Sequence, residues 1–146
     1  MAKRILAAAL VIVLMSCSGN GGIDGPVLTS PSQFGAGGTD AEVLGTLVFD
    51  ENTQCLYLDQ EEFGADRYPV VWPAGASWQS SPPAVKIQGQ VIQPGMSVYG
   101  GGGYHQRKNI EELAGSAVAE AAQACAGPTG EIAFFNIGSD VKVVAD

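Results

Sequence analysis

Three features of the chain predict a mainly β (α+β) domain, a small β-barrel or rolled antiparallel sheet of OB-like kind with one helix. Short β-branched and aromatic runs recur between turn residues from Val43 onward, which is the pattern of short antiparallel strands. One stretch, at about 109–126, switches to a three- and four-residue apolar repeat. Two cysteines, Cys55 in a predicted strand and Cys125 in that helix, stand where a bridge can join the two kinds of element.

The strands follow in order. Val43-Leu44-Gly45-Thr46-Leu47-Val48-Phe49 is the first, and Cys55-Leu56-Tyr57-Leu58 is the second. The polar turn Asp50-Glu51-Asn52-Thr53 between them makes a hairpin. Tyr68-Pro69-Val70-Val71-Trp72 is a third strand, with Pro69 near its start or on an edge because proline cannot donate to a ladder. Trp72-Pro73-Ala74-Gly75 turns the chain. Val85-Lys86-Ile87-Gln88 and Val91-Ile92-Gln93 flank a tight turn at Gly89-Gln90. Met96-Ser97-Val98-Tyr99 follows the Pro94-Gly95 turn. Glu131 to Ile137 and Val141 to Val144 are expected to pair around Gly138-Ser139-Asp140.

The helix has its own start and stop signals. Asn109 is placed to cap it, with Glu112 three residues later as in a capping box. Ile110, Leu113, Ala114, Ala117, Val118, Ala121 and Cys125 form one apolar stripe, and Gly127-Pro128 end it. The stripe puts Cys125 on the buried face, within reach of Cys55.

The N-terminus reads differently. Lys3 and Arg4 precede an apolar run from Ile5 to Met15. A hydrocarbon core of about 30 Å needs roughly 20 apolar residues, so this run is too short to span it and fits a cleaved signal segment over 1–16. It ends in Leu14-Met15-Ser16-Cys17, which resembles the lipobox of bacterial lipoproteins. The resemblance implies a diacylglyceryl group on the Cys17 sulfur, cleavage before Cys17 and attachment to the membrane through that lipid. It also implies an extracytoplasmic location, on the outer membrane where the host has one. From Cys17 to Ala41 the chain is rich in Gly, Ser, Pro and Thr and reads as a flexible tether. The globular domain is then expected over 42–146.

Charge and cysteines narrow the function classes. Without Lys3 and Arg4, five basic residues face fifteen acidic ones, a formal charge of −10. No basic patch is available to neutralise phosphates, so a nucleic-acid partner is excluded. The acidic surface is repelled by anionic lipid heads, so attachment falls to the lipid alone. Cys55 and Cys125 form an even pair in an exported chain and read as a disulfide; with one histidine and no close spacing they make a poor zinc site.

Candidate chemistry is sparse, and no catalytic set, metal or cofactor is predicted. Gly100-Gly101-Gly102-Gly103-Tyr104-His105 is the most conspicuous segment. A cradle of backbone amides from Gly101, Gly102 and Gly103, with Tyr104, His105 and Arg107 beside it, is one way to hold an anion. The competing reading is a strand whose glycines permit close backbone approach. Neither a P-loop nor a dinucleotide fingerprint is present. Ser139-Asp140-Val141-Lys142 matches Ser-x-x-Lys without the helix or companion motifs that give that pattern meaning. Asp59, Glu61, Glu62 and Asp66 crowd one loop, but Phe63 breaks the calcium-loop pattern and no closing glutamate follows. Trp72, Trp78, Tyr68, Tyr99 and Tyr104 are expected in the core rather than on a platform for sugar or peptide.

Cys55-Leu56-Tyr57-Leu58, Val70-Val71-Trp72-Pro73-Ala74-Gly75 and Gly100-Gly101-Gly102-Gly103 occur in that order. The series resembles small secreted or lipid-anchored actinobacterial proteins; this implies a fold and carries over no active site. The expected function is a non-catalytic binding or scaffolding domain of the cell envelope, with an envelope protein or glycan as partner. The alternative is a small-ligand or anion-binding barrel using Gly100–Gly103. A small hydrolase would require His105 within hydrogen-bond reach of a Ser, Asp or Glu in a cleft.

Overall fold

The computed structural model describes residues 21–32, 39–60, 66–127 and 130–145. The signal segment, Cys17, and Glu61 to Phe63 of the acidic loop lie outside the described residues. Eleven strands and two helices are present among them: β1 (Ile23–Asp24), β2 (Val27–Thr29), β3 (Ala41–Asp50), β4 (Cys55–Gln60), β5 (Asp66–Trp72), β6 (Ser77–Ser80), β7 (Pro83–Ile87), β8 (Gln90–Ile92), β9 (Ser97–Gln106), α1 (Arg107–Ala114), α2 (Ser116–Cys125), β10 (Glu131–Phe135) and β11 (Lys142–Val143).

Five of the strands close a barrel. β3 pairs with β4, β4 with β5, β5 with β10, β10 with β9, and β9 returns to β3. All these pairings are antiparallel except β5–β10. Closure leaves the barrel wall without a free edge. The expected mainly β barrel is thus what forms, and the β3–β4 hairpin has the expected turn, with Asp50 opposite Cys55. Asp50 closes that turn by accepting from the Asn52 and Thr53 amides, contacts that hold its carboxyl below the usual range. Pro69 lies at the last β4–β5 pair, opposite Tyr57, where β4 gives way to β2 as the neighbour of β5.

Alternation along each barrel strand sorts residues to its two faces. Val43, Leu47, Leu58, Val70, Trp72, Val98, Ala133 and Phe135 point inward and form one buried cluster, with Trp72 stacked on Phe135 at 5.4 Å between ring centroids. That cluster continues into Val85, Ile87 and Ile92 of the separate three-stranded sheet β6-β7-β8, so this sheet covers one part of the barrel core. Ile132, Phe134, Val71 and Leu28 face the other way and pack under Ile110, Ala114, Val118, Ala119 and Ala122 of the helices.

Several expectations are corrected. The tether does not run unbroken to Ala41, because β2 is a parallel neighbour of β5, with Val27 and Leu28 buried. Gly25 at φ +56 turns β1 back against β2, and the Gly21 amide donates to the Ala114 carbonyl at 2.8 Å. The apolar residues Ile23, Val27 and Leu28 are few, and window-averaged composition hides them. The single helix is two, broken at Gly115, whose φ of +93 is open to glycine at little cost. The break shifts the apolar phase, so Ala119 and Ala122 are buried where Ala117 and Ala121 were expected. The first helix starts at Arg107 with Gln106 in the capping position, two residues before the expected start, so Asn109 is not its cap.

The closing pair is also different. β10 inserts between β5 and β9, and β11 pairs with β9 at Val98 and Tyr99, beyond the part of β9 that β10 covers. The tight turn in the three-stranded sheet falls one residue earlier, on Gln88 (φ +51) and Gly89 (φ +75), since Ile87 pairs with Gln90. Two central residues with positive φ match the twist of a two-residue hairpin. Cys55 and Cys125 are bonded, with Cα atoms 5.8 Å apart and a sequence separation of 70, tying the start of β4 to the end of α2.

Candidate functional site

The glycine run does not build a cradle. Gly100 to Gly103 lie inside β9, opposite Val43, Glu42 and Ala41 on one side and opposite Phe134 and Phe135 on the other. An extended strand directs successive amides to opposite neighbours, whereas an anion nest needs them to converge. The glycines serve close approach. A side chain on Gly102 would run into the Phe134 carbonyl and the Val43 methyl, and one on Gly100 into the Phe135 ring at 3.1 Å.

The residues expected beside the run separate accordingly. Tyr104 turns into the barrel, 4.7 Å from Tyr68 between ring centroids. His105 turns outward against the Phe134 ring. Partial burial lowers its pKa, and Glu131 opposes the shift. Arg107 opens α1 and pairs with Glu120 of α2 at 3.6 Å on the exposed surface. Gly101 is exposed on the outer face and Gly103 is buried. Among the described residues no group of three His, Cys, Asp or Glu side chains is placed to hold a metal ion.

A concave site forms elsewhere. β3 pairs with β9 over Ala41–Thr46 and with β4 over Thr46–Asp50, so Thr46 has both neighbours and Gly45 stands at the end of the described β4 pairing. A Cβ at Gly45 would sit 3.0 Å from the Asp59 carbonyl and from Leu58 Cβ, so this position needs a glycine. The splay of β3 from β4 beyond that pairing opens a groove of about 570 Å³ on the outside of the barrel. That volume lies within the roughly 300–1,000 Å³ of ligand sites.

Side chains, not backbone, supply its polar groups. Gln60 Nε2 donates to the Leu44 carbonyl at 2.9 Å and to the Tyr104 hydroxyl, so the backbone exposed by the splay already has a partner. Tyr104 in turn contacts the Leu44 amide and carbonyl. Burial pushes the Tyr104 phenol above its ordinary pKa, partly opposed by the Leu44 and Gln60 hydrogen bonds. It therefore stays protonated and serves as both donor and acceptor near neutrality. The Thr46 and Ser97 hydroxyls bond to each other at 2.9 Å. Arg67 Nε donates to Asp59 Oδ2 at 3.2 Å, with Asp59 nearly covered and Arg67 half exposed. Leu44, Val48 and Val144 supply the apolar walls.

In the sequence Asp59 stands only as part of an acidic loop and Tyr104, which touches the groove through Gln60, only beside the glycine run; the remaining groove residues are not candidates there. Gly45 in the middle of a strand is the one local sign, since an isolated strand glycine marks a bulge or close approach. Ser97 meets Thr46 only through the β3–β9 register. No helix among the described residues is long and apolar enough to cross a membrane. No protein-family model, curated protein or solved structure matches the chain.

Proposed function

We propose that the chain is a cell-envelope lipoprotein, anchored outside the cytoplasm through lipid on Cys17, whose barrel is a non-catalytic binding domain. The anchor rests on the lipobox-like Leu14–Cys17 and the signal segment before it. The Cys55–Cys125 bond suits an oxidising compartment. The observation that carries the binding reading is the groove at Gly45, a recess of ligand size with mixed polar and apolar walls.

His105 lies too far from the groove to act as a base on its Ser97 hydroxyl. His105 and the Ser97 hydroxyl are eight residues apart on β9, a separation of roughly 26 Å in extended chain, far beyond proton-transfer reach.

Two measurements test the proposal on the full chain in its own cells. Cys17→Ala should release the protein from the membrane fraction and remove acyl mass from the mature N-terminus. Unchanged retention would defeat the anchor. A photo-crosslinking residue at Ser97 should capture a ligand or partner that the same residue at Lys86, on the three-stranded sheet, does not. Equal labelling at both positions, or none, would defeat the groove as the binding site.

A further inference from the structure

We propose that the groove binds an uncharged oligosaccharide; this rests on the binding-domain reading above and names its ligand class. Among the described residues that line the groove, the one cation and the one anion, Arg67 and Asp59, are paired at 3.2 Å, so these side chains bring no net charge to the recess on a chain that is otherwise strongly acidic. An anionic ligand meets both Asp59 and the field of the whole molecule. A cationic one must displace Arg67 from its partner.

A bare acyl chain fits no better. It would strip water from the Thr46–Ser97 hydroxyl pair and the Asp59–Arg67 ion pair without replacing their hydrogen bonds. An extended peptide recognises a sheet by adding a strand to a free edge. Here β3, β4 and β9 belong to the closed wall, and the Leu44 carbonyl at the splay is already taken by Gln60.

A sugar matches what is left. Its adjacent hydroxyls both donate and accept, so they can donate to carboxylate and amide oxygens and accept from guanidinium nitrogens. Asp59, Gln60 and Arg67 line the groove together with the Thr46 and Ser97 hydroxyls. The C–H face of a pyranose or furanose ring packs on aliphatic walls such as Leu44 and Val144.

The test is calorimetric titration of the full chain with neutral hexasaccharides of glucose, mannose and arabinose. A galacturonic acid hexamer and an uncharged hexapeptide are the comparators. At least one neutral sugar should bind, and both comparators should bind more weakly. Asp59→Asn and Arg67→Gln should each weaken sugar binding about tenfold, and Lys86→Gln should leave it unchanged. Val144→Trp, an exposed change on the groove wall, should block binding while the thermal unfolding midpoint is kept. No neutral sugar bound, or the peptide or the uronate preferred, overturns the proposal. If the Ser97 crosslinker still captures a partner in that event, the binding domain stands and the ligand class alone falls.

Discussion

The Thr39 hydroxyl occupies the space that a side chain on Gly103 would fill, and donates from there to the Gly102 carbonyl at 2.6 Å. Asn136 clasps the same residue from both sides. Its Oδ1 accepts from the Thr39 amide at 3.2 Å and its Nδ2 donates to the Thr39 carbonyl at 3.0 Å. The chain entering β3 is thereby laid across β9, and the glycine run is the seat that lets it pass.

Substitutions along the run should accordingly be unequal. A Cβ at Gly102 would collide with the Phe134 carbonyl, a backbone atom fixed by the β9–β10 ladder, and would also crowd Val43 at 2.8 Å. Gly102→Ala should destabilise the fold by about 3 kcal/mol, the upper part of the usual overpacking range. At Gly101 the nearest atoms would lie at 3.6 and 3.7 Å, ordinary contact distances, so Gly101→Ala should change stability by no more than about 0.5 kcal/mol. Urea unfolding of the two variants decides it. Equal losses would mean that the run is sensitive for some reason other than packing.

How much of this was legible in the sequence divides along range. The β3–β4 hairpin, the turns at Gly75 and Gly95 and the Cys55–Cys125 bond were legible because each rests on local pattern or on pairing two cysteines. The parallel β5–β10 pairing, the recruitment of Val27 and Leu28 to β5, and the seating of β11 on Val98 and Tyr99 join distant segments. No periodicity encodes such contacts. The glycine run was legible as a strand permitting close backbone approach, but the neighbours it approaches were not. Composition reports that the backbone is free, and only the fold shows that Thr39, Val43 and Phe134 use that freedom. The groove is hidden in the same way, since Thr46 and Ser97 come from strands about 50 residues apart.

Removing the disulfide should weaken the fold substantially. With its ends 70 positions apart in sequence, the chain-entropy model assigns the bridge about 4 kcal/mol. Cys55→Ala with Cys125→Ala should lose stability of that order in denaturant titration. It should also loosen the end of α2 first, seen as faster amide exchange there than in β9. A loss below about 1 kcal/mol would show that packing of the helices on Phe134 and Ile132 holds α2 without the bridge.

Gln88 acts as a substitute strand residue. Its Nε2 donates to the Ser139 carbonyl at 2.8 Å and its Oε1 accepts from the Val141 amide at 3.0 Å, while the Gln90 side chain donates to the Val141 carbonyl at 2.8 Å. The segment leading into β11 is thus held by side chains of the three-stranded sheet. Gln88→Ala should remove two bonds worth about 1 kcal/mol each at most. Its sharper signature is local, with Val141 amide exchange accelerating while the amides of β10 keep their protection. Unchanged protection at Val141 would show that β9 alone holds this segment.

The His105 side chain lies against Phe134, and partial burial lowers its pKa from the ordinary 6.5, with Glu131 acting in the opposite sense. A lowered folded-state value means that the unfolded chain binds the proton more readily. Stability from the neutral ring is therefore present above about pH 6.5 and declines as pH falls through the folded pKa. His105→Gln should flatten the unfolding midpoint between pH 7 and 5 relative to the parent chain, because it removes that titration and leaves the carboxylates. Histidine proton chemical shifts followed over the same range should titrate below pH 6.5. A midpoint above that value would mean that attraction to Glu131 outweighs desolvation, and the sign of the predicted stability change would reverse.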